Sequence, residues 1–228
     1  MGWTPVRDDL SDVRRGTLHG FSRAVVRWLL LRLAGPLTGL RVEGVQHVPA
    51  SGPVIVVANH LHNADPVLLA IAFPRPLYVM AKRELFAQRW LAAVLKVAGA
   101  FPVDRGKADR YAIRYAEAAL SQGQAVAMFP EGTRSVSGRL GAGQAGVGLI
   151  ALRSGAPLLP AAITGTESLP GNGAKRGSAG GRRQPAVIRF GAPFVLPAPT
   201  TGARMSSQEA TERIMAELAA VLPAPYRP

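Results

Sequence analysis

Short apolar runs, each followed by a stretch of helical periodicity, most limit how this chain can fold. "VIVVANH" (54–60), "LYVMAK" (77–82), "QAVAMF" (124–129), "APLLPAAITG" (156–165) and "AVIRFG" (186–191) read as short buried strands. Between them, "DPVLLAIAF", "RELFAQRWLAAVLKVAG", "ADRYAIRYAEAALSQG" and "QAGVGLIALRSG" read as helices. Pro66 suits a first helical turn, and Gly99 and Gly123 supply stops. "AFPVDRG" is a strand running into a loop, and "LRVEGVQHVP" (40–49) alternates like one more strand before the turn cluster "PASGP". Ser206 and Glu209 form a capping box ahead of a last helix, "QEATERIMAELAAVL". Helices alternating with buried strands predict a three-layer α/β fold, a central mixed sheet flanked by helices.

At 228 residues the chain is long enough to bury one proper core, and no internal repeat interrupts it. The reading places one domain over residues 41–228, preceded by an N-terminal amphipathic helical segment within 1–40. In "TLHGFSRAVVRWLLLRL" (17–33), Arg23 and Arg27 share a face while Phe21, Val25, Trp28 and Leu29 gather on another. Such a helix can lie in the headgroup layer of a membrane, or it can pack on its own domain; Arg32, near the apolar face, counts against the membrane. No uncharged apolar run approaches the ~18–20 residues of a membrane span. The charged start "MGWTPVRDDLSDVRRG" lacks the apolar core of a signal peptide.

The net charge of +13 favours anionic partners: nucleic acid, a phospholipid surface or phosphorylated small molecules. With no cysteine, disulfides, thiolate zinc sites and a cysteine nucleophile are excluded. Nucleic acid is not the expected partner, because the basic residues are scattered and no aromatic stacking set accompanies them. The loop "AKRGSAGGRR" is either a phosphate-contacting or a solvated segment.

"VVANHLHNADP" (56–66) sets two histidines, two asparagines and an aspartate behind a strand. "HLHNAD" resembles the H-x-H-x-D-H signature of binuclear metallo-hydrolases, but Asp65 comes one residue late and no histidine follows it; no metal is expected. "GAGQAG" (141–146) matches G-x-G-x-x-G without the buried strand that fingerprint needs, and reads as a glycine-rich turn into a helix. Neither a nucleophile elbow nor a Walker loop is present. His60 and Asp65, five apart, fit a strand end whose following turn folds back. Spacing alone leaves a general-base pair and a hydrogen-bonded turn both open.

Three further stretches join the first. "NHLHNAD", "GAFPVDRG" (99–106), "FPEGTRS" (129–135) and "LLPAAITG" with Pro160 occur in that order, and together they resemble the four blocks of the glycerolipid acyltransferases, the family containing 1-acylglycerol-3-phosphate acyltransferase. The resemblance runs from about Val42 to Gly191. It implies that His60 is a general base on an acceptor hydroxyl and that Asp65 orients and supports it. Arg105 and Arg134 would hold an acceptor phosphate through paired hydrogen bonds. Gly132 would allow close backbone approach, Thr133 would supply a hydroxyl, and Glu131 would bind an acceptor hydroxyl or position an arginine. No cofactor is implied. The acyl donor would be acyl-CoA or acyl-carrier protein, and the acceptor a lysophospholipid, foremost 1-acylglycerol-3-phosphate giving phosphatidic acid.

Another lysolipid or a glycolipid is the alternative acceptor. A non-catalytic binder of anionic lipid or nucleic acid is the alternative of another class. The implied location is the cytoplasmic face of the cell membrane, peripheral or monotopic, with the basic surface against anionic lipid. Three places depart from the family pattern. A small hydroxyl residue often stands where this chain has His62, and a bulkier one where it has Ala64. "GAGQAG" replaces an aromatic and a lysine after the third block.

Overall fold

Every residue of β2 (Val54–Ala58) is buried, and its side chains divide by parity between two cores. Ile55 and Val57 join one apolar cluster; Val54, Val56 and Ala58 join the other. A strand covered on both faces needs no polar alternation, which is why this run is continuously apolar. The computed structural model describes residues 25, 32, 35–82, 87, 100–103, 110–170, 184–197 and 205–228.

Around β2 the described elements are β1 (Arg41–Glu43), α1 (Asp65–Ala72), β3 (Leu77–Lys82), β4 (Ala100–Val103), α2 (Arg110–Ser121), β5 (Ala125–Met128), α3 (Ala145–Ser154), β6 (Leu158–Thr164), β7 (Val187–Phe190) and α4 (Ser207–Val221). The strands form one seven-stranded sheet in the order β1-β7-β6-β2-β5-β3-β4. From β6 to β4 all neighbours are parallel, whereas β7 runs antiparallel to β6 and parallel to β1. The sheet is therefore mixed, as the sequence predicts.

Ala116 of α2, Ile150 of α3, and Ile214 and Leu218 of α4 pack in the cluster holding Ile55 and Val57. Leu68 and Leu69 of α1 pack in the opposite one. Adjacent strands β2 and β5 thus send their following helices to opposite faces. Such a divergence marks a topological switch point, and in open α/β sheets ligands usually bind beyond the carboxyl ends of the strands at such a point.

Two local readings change. The alternation over 40–49 predicts one strand, but the chain leaves the sheet at Gly44, whose φ is +70°. A Cβ there would lie 2.1 Å from the Phe190 carbonyl oxygen, so only glycine admits β7's end this close. Val45–His47 then form a 3-10 turn, with His47 Nδ1 bonded to the same carbonyl at 3.0 Å.

The glycines of "GAGQAG" do lead into a helix, but Gly143 also serves packing, as Gly148 does further along α3. Added Cβ atoms would lie 2.7 Å from the Thr211 side chain and 2.1 Å from the Ser207 carbonyl oxygen, respectively, so these glycines let α3 approach α4 closely. Ser206 caps α4 as expected, its Oγ accepting from Glu209 N at 3.1 Å. The helices expected at 17–33 and 83–99 lie outside the described residues apart from Val25, Arg32 and Ala87.

Candidate active site

Beyond β2 the chain turns tightly, with Asp65 N donating to the His62 carbonyl at 2.9 Å. Asp65 opens α1 in its first turn, where the helix dipole favours negative charge. Its Oδ2 collects three donors: Leu61 N and His62 N at 2.6 Å each, and His60 Nδ1 at 2.9 Å. The turn is wrapped around one carboxylate oxygen. Both side chains are buried, His60 at 2 % and Asp65 at 0 % exposure. Because Nδ1–H points at Asp65, the lone pair of His60 lies on Nε2, the nitrogen a general base must present. The His60 ring also packs on Phe129 with centroids 4.6 Å apart.

The third block clamps the peptide of His60 from both sides. His60 N donates to Glu131 Oε1 at 2.9 Å, and the His60 carbonyl accepts from Ser135 N at 2.7 Å. Glu131 Oε2 accepts from Gly141 N at 3.0 Å. Glu131 is expected to bind an acceptor hydroxyl or to position an arginine; in the structure its two oxygens accept from the loop at His60 and from the glycine-rich turn. Burial pushes its carboxyl above the usual range, against the downward pull of the two backbone N–H groups and His60. A type I turn explains the local sequence: Gly132 N donates to the Phe129 carbonyl at 3.0 Å, with Pro130 in the second position. Gly132 itself sits at φ +68°, a left-handed conformation that glycine adopts without steric cost. Thr133 is exposed and Arg134 half-buried beside them.

Asn59, which opens the first block, is a clamp. Its Nδ2 donates to the Ile163 carbonyl at 2.8 Å and its Oδ1 accepts from Ile163 N at 2.7 Å. The side chain thereby continues the β2–β6 pairing past the strand end and fixes where His60 emerges. Sequence reading assigns Asn59 no role; its place beside His60 at a strand end is the one signal of it. The first, third and fourth blocks meet because β6, β2 and β5 are neighbours. β4, which leads into the second block, lies three strand positions from β2, about 14 Å across the sheet. Arg105 lies outside the described residues. Among the described residues, no group of three His, Asp or Glu side chains is placed to hold a metal.

A sequence model of the acyltransferase family matches residues 39–164, more than half of the chain. The chain is 34 % identical over 142 residues to 1-acyl-sn-glycerol-3-phosphate acyltransferase of Bacillus subtilis, which covers 61 % of this chain and 68 % of that protein. It is 30 % identical over 169 residues to 1-acyl-sn-glycerol-3-phosphate acyltransferase alpha of Mus musculus, over 72 % of this chain and 59 % of that one. Of the probable enzyme of that name in Mycoplasma pneumoniae it spans 52 %. The crystal structure of the 1-acyl-sn-glycerophosphate acyltransferase from Thermotoga maritima shares the fold, with a TM-score of 0.67 at 24 % identity over 87 % of this chain and 79 % of that one. By the family match and the extent of these likenesses, the chain belongs to the acyltransferase family, and is an O-acyltransferase similar to the 1-acyl-sn-glycerol-3-phosphate acyltransferases.

Proposed function

We propose that the protein transfers a fatty acyl group from an acyl thioester to the hydroxyl of a lysophospholipid, foremost 1-acylglycerol-3-phosphate, with His60 as general base. The observation that carries this reading is the buried bond from His60 Nδ1 to Asp65 Oδ2, which leaves Nε2 as the basic nitrogen. The acceptor hydroxyl gives its proton to Nε2 as its oxygen attacks the thioester carbonyl carbon. Charge collects on the carbonyl oxygen, and Asp65 stabilises the imidazolium. Collapse re-forms the carbonyl and breaks the carbon–sulfur bond. The departing thiolate takes the proton back from Nε2, giving an ester and a free thiol. The substrate hydroxyl takes the part that serine plays in a Ser-His-Asp triad, so no acyl-enzyme is needed.

Arg134, with Arg105 from the second block, holds the acceptor phosphate, since guanidinium forks match phosphate oxygens. Thr133, exposed beside Arg134, adds a hydroxyl donor. The shared name of the relatives supports 1-acylglycerol-3-phosphate as acceptor. The donor is acyl-CoA or acyl-carrier protein, and no cofactor takes part. Among the described residues, no helix is long and apolar enough to cross a membrane. We place the enzyme at the cytoplasmic membrane surface, held by its +13 charge against anionic lipid and by the basic amphipathic segment at 17–33.

The test is a product assay. Wild-type protein is given palmitoyl-CoA or palmitoyl-acyl-carrier protein with a panel of lysolipids and glycolipids, and the ester formed is identified. Phosphatidic acid formed in preference to the other esters supports the reading; preference for another acceptor moves the assignment there. Release of thiol without any acceptor would make the protein a thioesterase. For the membrane, deletion of residues 1–40 from a still folded protein should reduce co-sedimentation with anionic vesicles, and unchanged binding would overturn that part.

A further inference from the structure

After α4 the chain makes a short 3-10 turn, Ala224–Tyr226, which the mechanism above does not use. Tyr226 N donates to the Pro223 carbonyl at 2.9 Å and Arg227 Nε to the Leu222 carbonyl at 2.8 Å, so the turn is tied to the end of the helix. The Tyr226 ring is half-buried against the cluster shared by α2, α3 and α4. Its hydroxyl donates to Glu167 Oε1 at 2.6 Å and accepts from Gly165 N at 3.4 Å, both just beyond β6. Burial, then the hydrogen bond and charge of Glu167, push the pKa of this hydroxyl up to about 12, so it remains a donor at neutral pH. The Tyr226 carbonyl accepts from Leu140 N at 2.8 Å, beside the glycine-rich turn. One residue thus joins the chain leaving β6 to the loop that follows the third block.

These bonds close a ring on His60. Asn59 holds Ile163 by two hydrogen bonds, and Gly165 follows shortly along that chain. From Gly165 the ring passes through the hydroxyl and the carbonyl of Tyr226 to Leu140, whose neighbour Gly141 donates to Glu131 Oε2 at 3.0 Å. Glu131 Oε1 accepts from His60 N at 2.9 Å, and Asn59 precedes His60 in the chain. A peptide held on both sides by a closed circuit has little freedom to shift, and an error of about 1 Å in the place of a reacting group can cost about a hundredfold in rate. Tyr226 lies outside residues 39–164, the span that matches the acyltransferase family, so this link belongs to none of the four blocks.

We propose that Tyr226 is a positioning residue for the acyl transfer: by joining Gly165 and Glu167 to Leu140, it closes the ring that fixes the peptide of His60. The assignment rests on the general-base reading of His60 and names a distant residue on which the placing of that base depends.

The test is Tyr226→Phe, which removes the hydroxyl and leaves the ring packing and the carbonyl. With palmitoyl-CoA and varied lysophosphatidic acid, well below the melting temperature, kcat should fall about tenfold while KM for both substrates stays within about twofold. A second readout needs no substrate. In native-state hydrogen exchange followed by NMR, the amides of His60 and Gly141 should exchange at least about tenfold faster in the variant, while those of β3 change by less than about twofold. A residue that serves stability alone would speed exchange in all these places together and leave kcat unchanged in the folded protein. Uniform acceleration, no acceleration at His60 and Gly141, or a kcat within about twofold of an active wild type overturns the proposal.

Should Tyr226→Phe not fold, Glu167→Ala removes the acceptor of the same hydroxyl and is read by the same two measurements. If wild type shows no turnover, the general-base reading fails. Selective exchange at His60 and Gly141 would still support Tyr226 as the residue that holds this peptide, and its absence would overturn that as well.

Discussion

Replacing Asp65 by asparagine changes one atom and removes one charge at the centre of the site. Oδ2 now takes three N–H donors, two from the backbone and one from His60. An amide oxygen in the same place keeps the two backbone bonds but makes them neutral, at about 1 kcal/mol each. The fold should therefore survive, with a fall of about 4–8 °C in Tm for a chain of this size. Catalysis loses much more. With charge centres about 4 Å apart in an effective dielectric near 20, attraction between Asp65 and the imidazolium of His60 is about 4 kcal/mol. It arises only as the proton moves, so kcat should fall about a thousandfold while KM for donor and acceptor stays within about threefold. The assay is initial-rate thiol release from palmitoyl-CoA with varied lysophosphatidic acid, alongside a thermal melt. A variant that melts as described but keeps kcat within about fivefold of wild type would refute the reasoning and return Asp65 to the role of a turn residue.

Glu131→Gln sets an amide N–H against the N–H of His60 or Gly141, so kcat/KM should fall by about tenfold or more. Because burial raises the folded-state value of Glu131 above its ordinary 4.5, this group's contribution to stability is fully present below that pH and lost as pH rises through the raised value. Melts between pH 4 and 8 should therefore show wild type losing ground to the Gln variant as pH rises; a gap that stays constant or moves the other way contradicts this. Asn59→Ala strands the N–H and carbonyl of Ile163 at the β2–β6 junction, at about 1–3 kcal/mol each. Urea unfolding should show a loss of about 2–6 kcal/mol, and less than about 1 kcal/mol would contradict the clamp.

What could be read from the chain was what periodicity and local chemistry encode. β2, β5 and β6 announce burial on both faces by their unbroken apolar runs. The His60–Asp65 pair is local, five residues apart, and Ser206 caps α4 through a neighbour three residues on. What stayed hidden depends on partners far away in sequence. Asn59 meets Ile163 across 104 residues and His60 meets Glu131 across 71. Nothing near Glu131 in the chain reveals that its oxygens accept from the backbone N–H groups of His60 and Gly141. The alternation through Gly44 looked like one strand because the Phe190 carbonyl that forbids a side chain there comes from β7. Gly143 looked like a turn residue only, and Gly148 like an ordinary helix position, for the same reason, since the helix they admit, α4, begins at Ser207. The antiparallel placement of β7 likewise has no local signature.

His60 is proposed to activate a substrate hydroxyl directly. The measurement that meets this most squarely is thiol release from palmitoyl-CoA, with and without lysophosphatidic acid, by wild type and by His60→Ala. Release should require the acceptor in wild type and fall at least about a hundredfold in the variant. Equal release without acceptor, or acceptor-dependent release that persists in His60→Ala, would contradict it.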